Sequence, residues 1–323
     1  MTDARRILVH NDKVDAMVAV LNTRFPQIEA RGCDSFAGVK DAVAAFRPDV
    51  VYTVRFDSGA PYPRDGLFAP DGPRWIANGG AGTDHFGTWN TDRVTVTNAA
   101  GVAADMMAEY VIGGFLHFML DVPGLQTDKA ARVWNKRRIV RPLQRKTLLV
   151  VGLGHTGQAV AARAKAFGMH VIGTRSRPQP MDNVDEVHGA DRLAALMPRA
   201  DFIAVATPLT PATRGLIGTA EVAAMKPGVI IADVSRGGVM EAAPILAGLN
   251  SGQIAGAALD VFAPEPLPAD SPFWEVENLI ISPHCSSVSA EWAQASFDLF
   301  LRNLEGWLAG KPLFNVVDPA RGY

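Results

Sequence analysis

Val150-Val151-Gly152-Leu153-Gly154-His155-Thr156-Gly157 places a GxGxxG pattern directly after an apolar run and before a helical one. In that context the first glycine permits a tight turn. The second lets backbone approach a pyrophosphate, and the third lets strand and helix pack closely. The free N–H groups and the positive dipole end of the following helix, beginning with His155 and Thr156, would face the phosphates. Three later segments carry side chains suited to the chemistry of a bound dinucleotide. They are Val234-Ser235-Arg236-Gly237-Gly238, Leu259-Asp260-Val261-Phe262-Ala263-Pro264-Glu265-Pro266 and Ser282-Pro283-His284. Each leaves an apolar strand-like run, and ligands bind at the carboxyl ends of parallel strands. Hydride reaching a carbonyl carbon leaves negative charge on oxygen, which a guanidinium such as Arg236 stabilises in a dry site. A proton must follow. An imidazole, with its ordinary pKa near ~6.5, is suited to supplying it, and a carboxylate such as Glu265 beside it favours the protonated ring.

The strand after the glycine loop ends at Thr174, followed by Arg175, Ser176 and Arg177, with Arg175 18 residues beyond Gly157. A site for NAD has an acidic residue near this position. Two guanidiniums and a hydroxyl suit a ribose 2′-phosphate instead, so NADP(H) is the preferred cofactor and NAD(H) the alternative. Each of these residues has a plainer reading. The arginines could be solvated loop residues, His284 a strand-end histidine bonded to a carbonyl, and Glu265 an exposed residue between prolines. His10, His85, His117, His155, His170 and His188 are scattered and read as structural. Cys285 adjoins His284, but neighbours on an extended strand point to opposite faces, which argues against a cysteine–histidine pair.

Short apolar runs alternate with helical stretches along the whole chain. RILVH (6–10), DVVYTV (49–54), RWIAN (74–78) and VTVTN (94–98) read as strands, with helical periodicity at Lys13–Phe25 and Val39–Phe46 between them. A second series, TLLVVGLG, HVIGTR, FIAVAT, VIIADVS, IAGAALDVF and LIISP, consists of near-continuous apolar runs, as in strands buried on both faces of a parallel sheet. Helices are expected at Gly101–Leu120, His155–Phe167, Asp191–Met197, Ala242–Asn250 and about Ser289–Gly310. The alternation predicts two α/β domains, each a parallel sheet covered on both faces. Periodicity leaves open where the last helix packs.

The 323 residues, 48% hydrophobic and 20% charged, are enough for two soluble domains. A net charge of −2 provides no general basic field for nucleic acid or an anionic membrane. The run Ile7-Leu8-Val9 is too short for a signal peptide core, and the longest mostly apolar stretch, Tyr110 to Leu120, is too short to span a membrane. Two cysteines make no disulfide framework, and no metal-ligand spacing is present. A cytoplasmic protein without metal, nucleic acid or membrane partner is the expectation.

In GLGHTG, ATPLTPATRGLI (206–217), MKPGVIIADVSRGG (225–238), AALDVFAPEPLP (257–268) and NLIISPH (278–284), in that order, the chain resembles the D-isomer-specific 2-hydroxyacid dehydrogenases. GGAGTDHF and the helix carrying Asp105 and Glu109 also fit. The resemblance implies a Rossmann cofactor domain, 99–289, inserted in a flavodoxin-like substrate-binding domain, 1–98 with 290–323, and a homodimer. It implies that Arg236 binds the substrate carboxylate and polarises the 2-oxo group, that His284 is the general acid, and that Glu265 bonds the imidazole. By the same resemblance Asp260 contacts the nicotinamide carboxamide, Thr207 and Pro208 line the cofactor, and the backbone of Gly80-Ala81-Gly82 receives the substrate carboxylate. The basic loop looks most like the glyoxylate/hydroxypyruvate reductases, so a small 2-oxoacid is the expected substrate. Arg55, with Phe56, is a candidate contact to the substrate tail, and Trp134 a candidate for reaching a neighbouring subunit. Asp233 stands where the family often has Asn and is given no role. An NAD-dependent dehydrogenase of another 2-hydroxyacid and a dinucleotide-sensing corepressor are the competing readings.

Overall fold

The computed structural model describes residues 6–55 and 61–319; Phe56 lies outside them. The chain divides into two compact units, one comprising residues up to Val102 and from Ser289 onward, the other Ala103–Val288.

In the first unit, β1 (Arg6–His10), β2 (Glu29–Cys33), β3 (Val50–Thr53), β4 (Trp75–Asn78) and β5 (Thr95–Thr97) form a wholly parallel sheet of order β2-β1-β3-β4-β5. This is the flavodoxin-like order, which reverses direction between β1 and β3. Side chains alternate faces along each strand. Ile7, Val9, Tyr52 and Trp75 pack beneath the helices Val14–Arg24 and Ala290–Leu308, whereas Leu8, Val51 and Ile76 meet Val39, Val43 and Phe46 of the helix Val39–Phe46. The carboxyl-terminal helix therefore packs on this sheet through Phe297, Phe300, Leu301 and Leu304. It starts where Ser289 Oγ accepts the N–H groups of Glu291 and Trp292, each at 3.2 Å.

The second unit holds β6 (Thr147–Val151), β7 (His170–Thr174), β8 (Glu186–His188), β9 (Phe202–Val205), β10 (Val229–Asp233), β11 (Ile254–Leu259) and β12 (Leu279–Ile281). All are parallel, in the order β12-β11-β10-β9-β6-β7-β8. This is the Rossmann arrangement, whose direction reverses between β6 and β9. One face packs against the helices Ala104–Met119 and His155–Ala166 through Val111, Phe115, Val160 and Ala164, and the other against Ile245 and Leu249 of the helix Ala242–Ser251. A Cβ at Gly114 would sit 2.7 Å from Ala258 Cβ, so the helix Ala104–Met119 rests almost directly on β11.

The structure departs from the sequence reading in four elements. β2 (EARGC) and β8 (EVH) are partly exposed strands at sheet edges and carry no apolar run. The stretch expected as a helix at Asp191–Met197 is broken into 3₁₀ turns around the short helix Leu193–Leu196, and the last of these contains Pro198, which lacks an N–H to continue the ladder. The helix expected from Gly101 begins at Ala104 because Gly101 has a left-handed backbone.

His10 ends β1 fully buried, its Nδ1 2.8 Å from Thr53 Oγ1, which is in turn 2.7 Å from the Tyr62 hydroxyl. Burial lowers its pKa to about 4. A depressed histidine is neutral in the fold while the unfolded chain takes up a proton below pH ~6.5, so its contribution to stability is full above that value and falls as pH drops toward 4. In urea unfolding, the stability difference between wild type and His10→Gln should therefore shrink by about 3 kcal/mol between pH 7.5 and pH 4. A pH-independent difference would contradict this assignment.

Candidate active site

The glycine loop leaves the end of β6. The N–H groups of Gly152 and Leu153 donate to the carbonyl of Thr174 at 3.2 and 2.9 Å, tying the loop to the end of β7. Gly152 has φ +100°, and a Cβ at Gly157 would lie 2.0 Å from the Gly152 carbonyl oxygen, so both positions require glycine. At Gly154, no atom lies within 4 Å of where a Cβ would stand, so backbone is open to a close-approaching group. The 12-residue helix His155–Ala166 begins there, with Thr156 Oγ1 directed toward Met107 Sδ at 3.7 Å. An open glycine before a helix amino terminus fits a dinucleotide pyrophosphate.

Thr174 is buried, and the next residues turn outward. The Arg175 amide donates to the His188 carbonyl at 3.0 Å, and its half-buried guanidinium lies 3.0 Å from Met181 Sδ. Ser176 and Arg177 are exposed. The Thr174 carbonyl thus joins the glycine loop to the basic segment. Thr207 and Pro208 follow β9, on a loop closed by Thr213 Oγ1 donating to the Pro208 carbonyl at 2.6 Å.

Arg236, Glu265 and His284 are connected through three loops of this unit. Beyond β10, Ser235 donates its N–H and hydroxyl to Asp233 Oδ1 at 2.8 and 2.5 Å, and Arg236 Nη1 donates to the Ser235 carbonyl at 2.7 Å. A Cβ on the next residue, Gly237, would lie 1.8 Å from the Phe262 carbonyl oxygen, so the Arg236 segment presses on the loop leaving β11. In that loop the Phe262 N–H donates to Glu265 Oε1 at 2.9 Å, and Glu265 Oε2 is 2.9 Å from His284 Nδ1. Both partners keep about a third of their side-chain surface exposed, 37% for Glu265 and 36% for His284.

Asp260 supports this arrangement from below. It is buried, and its Oδ1 accepts from Ser282 Oγ at 2.5 Å and the Cys285 N–H at 2.8 Å, its Oδ2 from the Ser286 N–H at 3.0 Å. Its carbonyl accepts the His284 N–H at 2.9 Å. Ser282 Oγ also pairs with the Tyr110 hydroxyl at 2.8 Å, whose pKa burial raises to about 12. Within this cage His284 has φ +54°, a conformation uncommon outside glycine and often found at functional sites. The expected extended-strand disposition of His284 and Cys285 does not hold. β12 ends at Ile281, so His284 and Cys285 are not strand neighbours on opposite faces, and Cys285 is an exposed free thiol.

Of the residues singled out from sequence, Arg236, Glu265, His284, Asp260 and the glycine and basic loops all belong to the second unit, where hydrogen bonds join Glu265 and Asp260 to His284 and the Arg236 segment presses on the Glu265 loop. Arg55 and Gly80-Ala81-Gly82 belong to the first unit. Arg55 is exposed and close enough to Tyr62 to oppose electrostatically the rise in that hydroxyl's pKa that burial causes. Sequence reasoning missed Ser282 and Tyr110; one polar side chain after the apolar run LII and another in an apolar helix were the available signals.

Asp233 is buried, and burial raises its pKa to about 7. The Ser235 hydrogen bonds oppose the rise, the neighbouring Asp260 adds to it, and Arg236 opposes it. A carboxyl with a raised folded pKa favours the fold at low pH and loses that advantage as pH climbs toward 7. Asp233→Asn, which does not ionise, should gain stability relative to wild type as pH rises from 4 to 7, by roughly 1.4 kcal/mol per unit, and gain nothing further above 7. A constant gap in denaturant unfolding would show that the pKa of this carboxyl is not raised by folding.

Residues 112–286 match the family model for the D-isomer specific 2-hydroxyacid dehydrogenase NAD binding domain, and the chain belongs to that family. The glyoxylate reductase of Thermococcus litoralis is 32% identical over 235 residues, 70% of either chain. The D-3-phosphoglycerate dehydrogenase of Methanocaldococcus jannaschii is 33% identical over 265 residues, 81% of this chain; the match spans half the length of that relative. Among solved structures, the NADPH-dependent glyoxylate/hydroxypyruvate reductase of Sinorhizobium meliloti, in complex with NADP and sulfate, superposes with a TM-score of 0.81 at 28% identity, covering 99% of this chain and 100% of the other. These named relatives are oxidoreductases. Among the described residues no helix is long and apolar enough to cross a membrane.

Proposed function

We propose that this chain is an NADPH-preferring reductase that converts a small 2-oxoacid, of the glyoxylate or hydroxypyruvate type, to the D-2-hydroxyacid. The observation that carries the reading is the hydrogen bond between Glu265 and His284, with Arg236 held beside the same loop. The nicotinamide ring, when bound, supplies the hydride. Arg236 holds the substrate carboxylate and polarises the 2-oxo group, and its fixed charge lowers the energy of the alkoxide as it forms. His284 gives its proton to that oxygen, while Glu265 on Nδ1 orients the ring with Nε2 toward substrate and stabilises its charged form. The amides of Gly80, Ala81 and Gly82 are the proposed second receiver of the carboxylate. Arg175, Ser176 and Arg177 take the ribose 2′-phosphate. Asp260 acts by holding the His284 turn, since three hydrogen bonds already engage its carboxyl.

The sequence likeness to a glyoxylate reductase and the structural likeness to an NADPH-dependent enzyme support this substrate and cofactor. Trp134, 88% exposed, with exposed Ile139 and Val140, gives a homodimer an apolar surface to cover. A cytoplasmic location completes the reading.

NADPH oxidation with a panel of 2-oxoacids should show turnover with glyoxylate or hydroxypyruvate; no turnover with any member would remove the proposed activity. His284→Ala should lower kcat by at least ~10²-fold, and a near-normal rate would exclude it as the acid. Replacing Arg175 and Arg177 by uncharged residues should weaken NADPH binding about 10-fold or more while leaving NADH binding within a few-fold. Equal losses for both cofactors would defeat the phosphate assignment.

A further inference from the structure

The segment leaving β4 has an unusual distribution of hydrogen bonds. Four successive carbonyl groups are all held from one side. The Gly79 oxygen accepts from Ser296 Oγ at 2.7 Å. The Gly80 oxygen accepts from Asn78 Nδ2 and the Ala99 N–H, both at 2.9 Å. The Ala81 oxygen accepts from Asn98 Nδ2 at 2.7 Å, and the Gly82 oxygen from Asn78 Nδ2 at 2.8 Å. Asn78, Asn98 and Ser296 line one small cavity, together with Tyr52, whose hydroxyl pairs with Ser296 Oγ at 3.0 Å.

In a trans peptide the C=O and the following N–H point in opposite directions. Anchoring the carbonyls of residues 79–82 toward that cavity therefore turns the N–H groups of Gly80, Ala81, Gly82 and Thr83 away from it. Among the described residues none of these four N–H groups has a hydrogen-bond partner. Successive outward N–H groups form a concavity that binds anions. Asn78 is committed to this arrangement. Both its bonds are donated by Nδ2, and its Oδ1 is buried without a partner among the described residues. The opposite orientation of the amide would set its oxygen against two carbonyl oxygens.

We propose that Asn78, Asn98 and Ser296 are positioning residues that make the 80–83 backbone a receptor for a carboxylate. They touch no substrate; they act by engaging the carbonyls that would otherwise repel an anion. This deepens the proposed function, on which it rests for the identity of the substrate but not for the anion site itself.

The test uses the full-length protein and oxalate, a two-carbon dicarboxylate, as probe. In wild type, oxalate should shift the backbone amide resonances of Gly80, Ala81 and Gly82. Asn98→Asp, which replaces a donor to the Ala81 carbonyl by an acceptor, should weaken that binding at least 10-fold. Its KM for the 2-oxoacid should rise at least as much, with kcat and the Kd for NADPH within threefold of wild type. A purely structural role would lower thermal stability without this split. Ser296→Ala, which removes the Gly79 anchor and the partner of the Tyr52 hydroxyl but leaves the other three carbonyls held, should weaken oxalate about threefold, and it carries the same test if Asn98→Asp does not fold. Absence of amide shifts in wild type, or equal oxalate affinity in wild type and a folded variant, overturns the proposal. Oxalate binding lost in the variants alongside a wild type inactive on every 2-oxoacid overturns the reductase reading alone.

Discussion

Asp260 accepts hydrogen bonds from Ser282, Cys285 and Ser286 through its carboxyl and from His284 through its carbonyl, and the placement of the His284 imidazole beside Glu265 depends on that cage. A histidine at φ +54° does not hold that backbone unaided. Three hydrogen bonds to the Asp260 carboxyl and one to its carbonyl hold the turn against the roughly 1–3 kcal/mol that such a backbone conformation costs. The result is an imidazole delivered to Glu265 from a short turn rather than from a long flexible loop.

The same device recurs one strand away. Asp233 ends β10 as Asp260 follows β11, and the Asp260 N–H donates to the Asp233 carbonyl at 3.0 Å. Asp233 holds Ser235, and Ser235 accepts Arg236. Two buried carboxyls at adjacent strand ends thus govern one functional loop each, and glycine at 237 lets those loops touch. Burial raises Asp233 toward neutrality and the nearby Asp260 adds to the rise, a consequence of packing the supports of both loops into one buried layer.

Much of this was legible in the residues. Parallel strands buried on both faces appear as unbroken apolar runs, which is why Thr147–Val151, Phe202–Val205 and Val229–Asp233 stand out. GxGxxG is readable because its glycines answer geometric demands, borne out by the Gly157–Gly152 approach. The edge strands β2 and β8 were not legible, since a ladder on one side places little demand on side chains. Nor were the anchors. Asn78, Asn98, Ser282 and Tyr110 are polar side chains whose partners lie far along the chain or are backbone atoms, and no local pattern marks them. The expected disposition of His284 and Cys285 failed for the same reason, because a left-handed residue outside a strand leaves no trace in composition.

The most direct test of this account is a double-mutant cycle in kcat between Asp260 and His284. If Asp260 acts by holding the His284 turn, Asp260→Asn should lose much of the turnover that His284→Ala loses, and the double variant should be no slower than His284→Ala alone. Losses that multiply, in variants that fold and bind cofactor as wild type does, would show that Asp260 acts independently of the imidazole and would contradict the account.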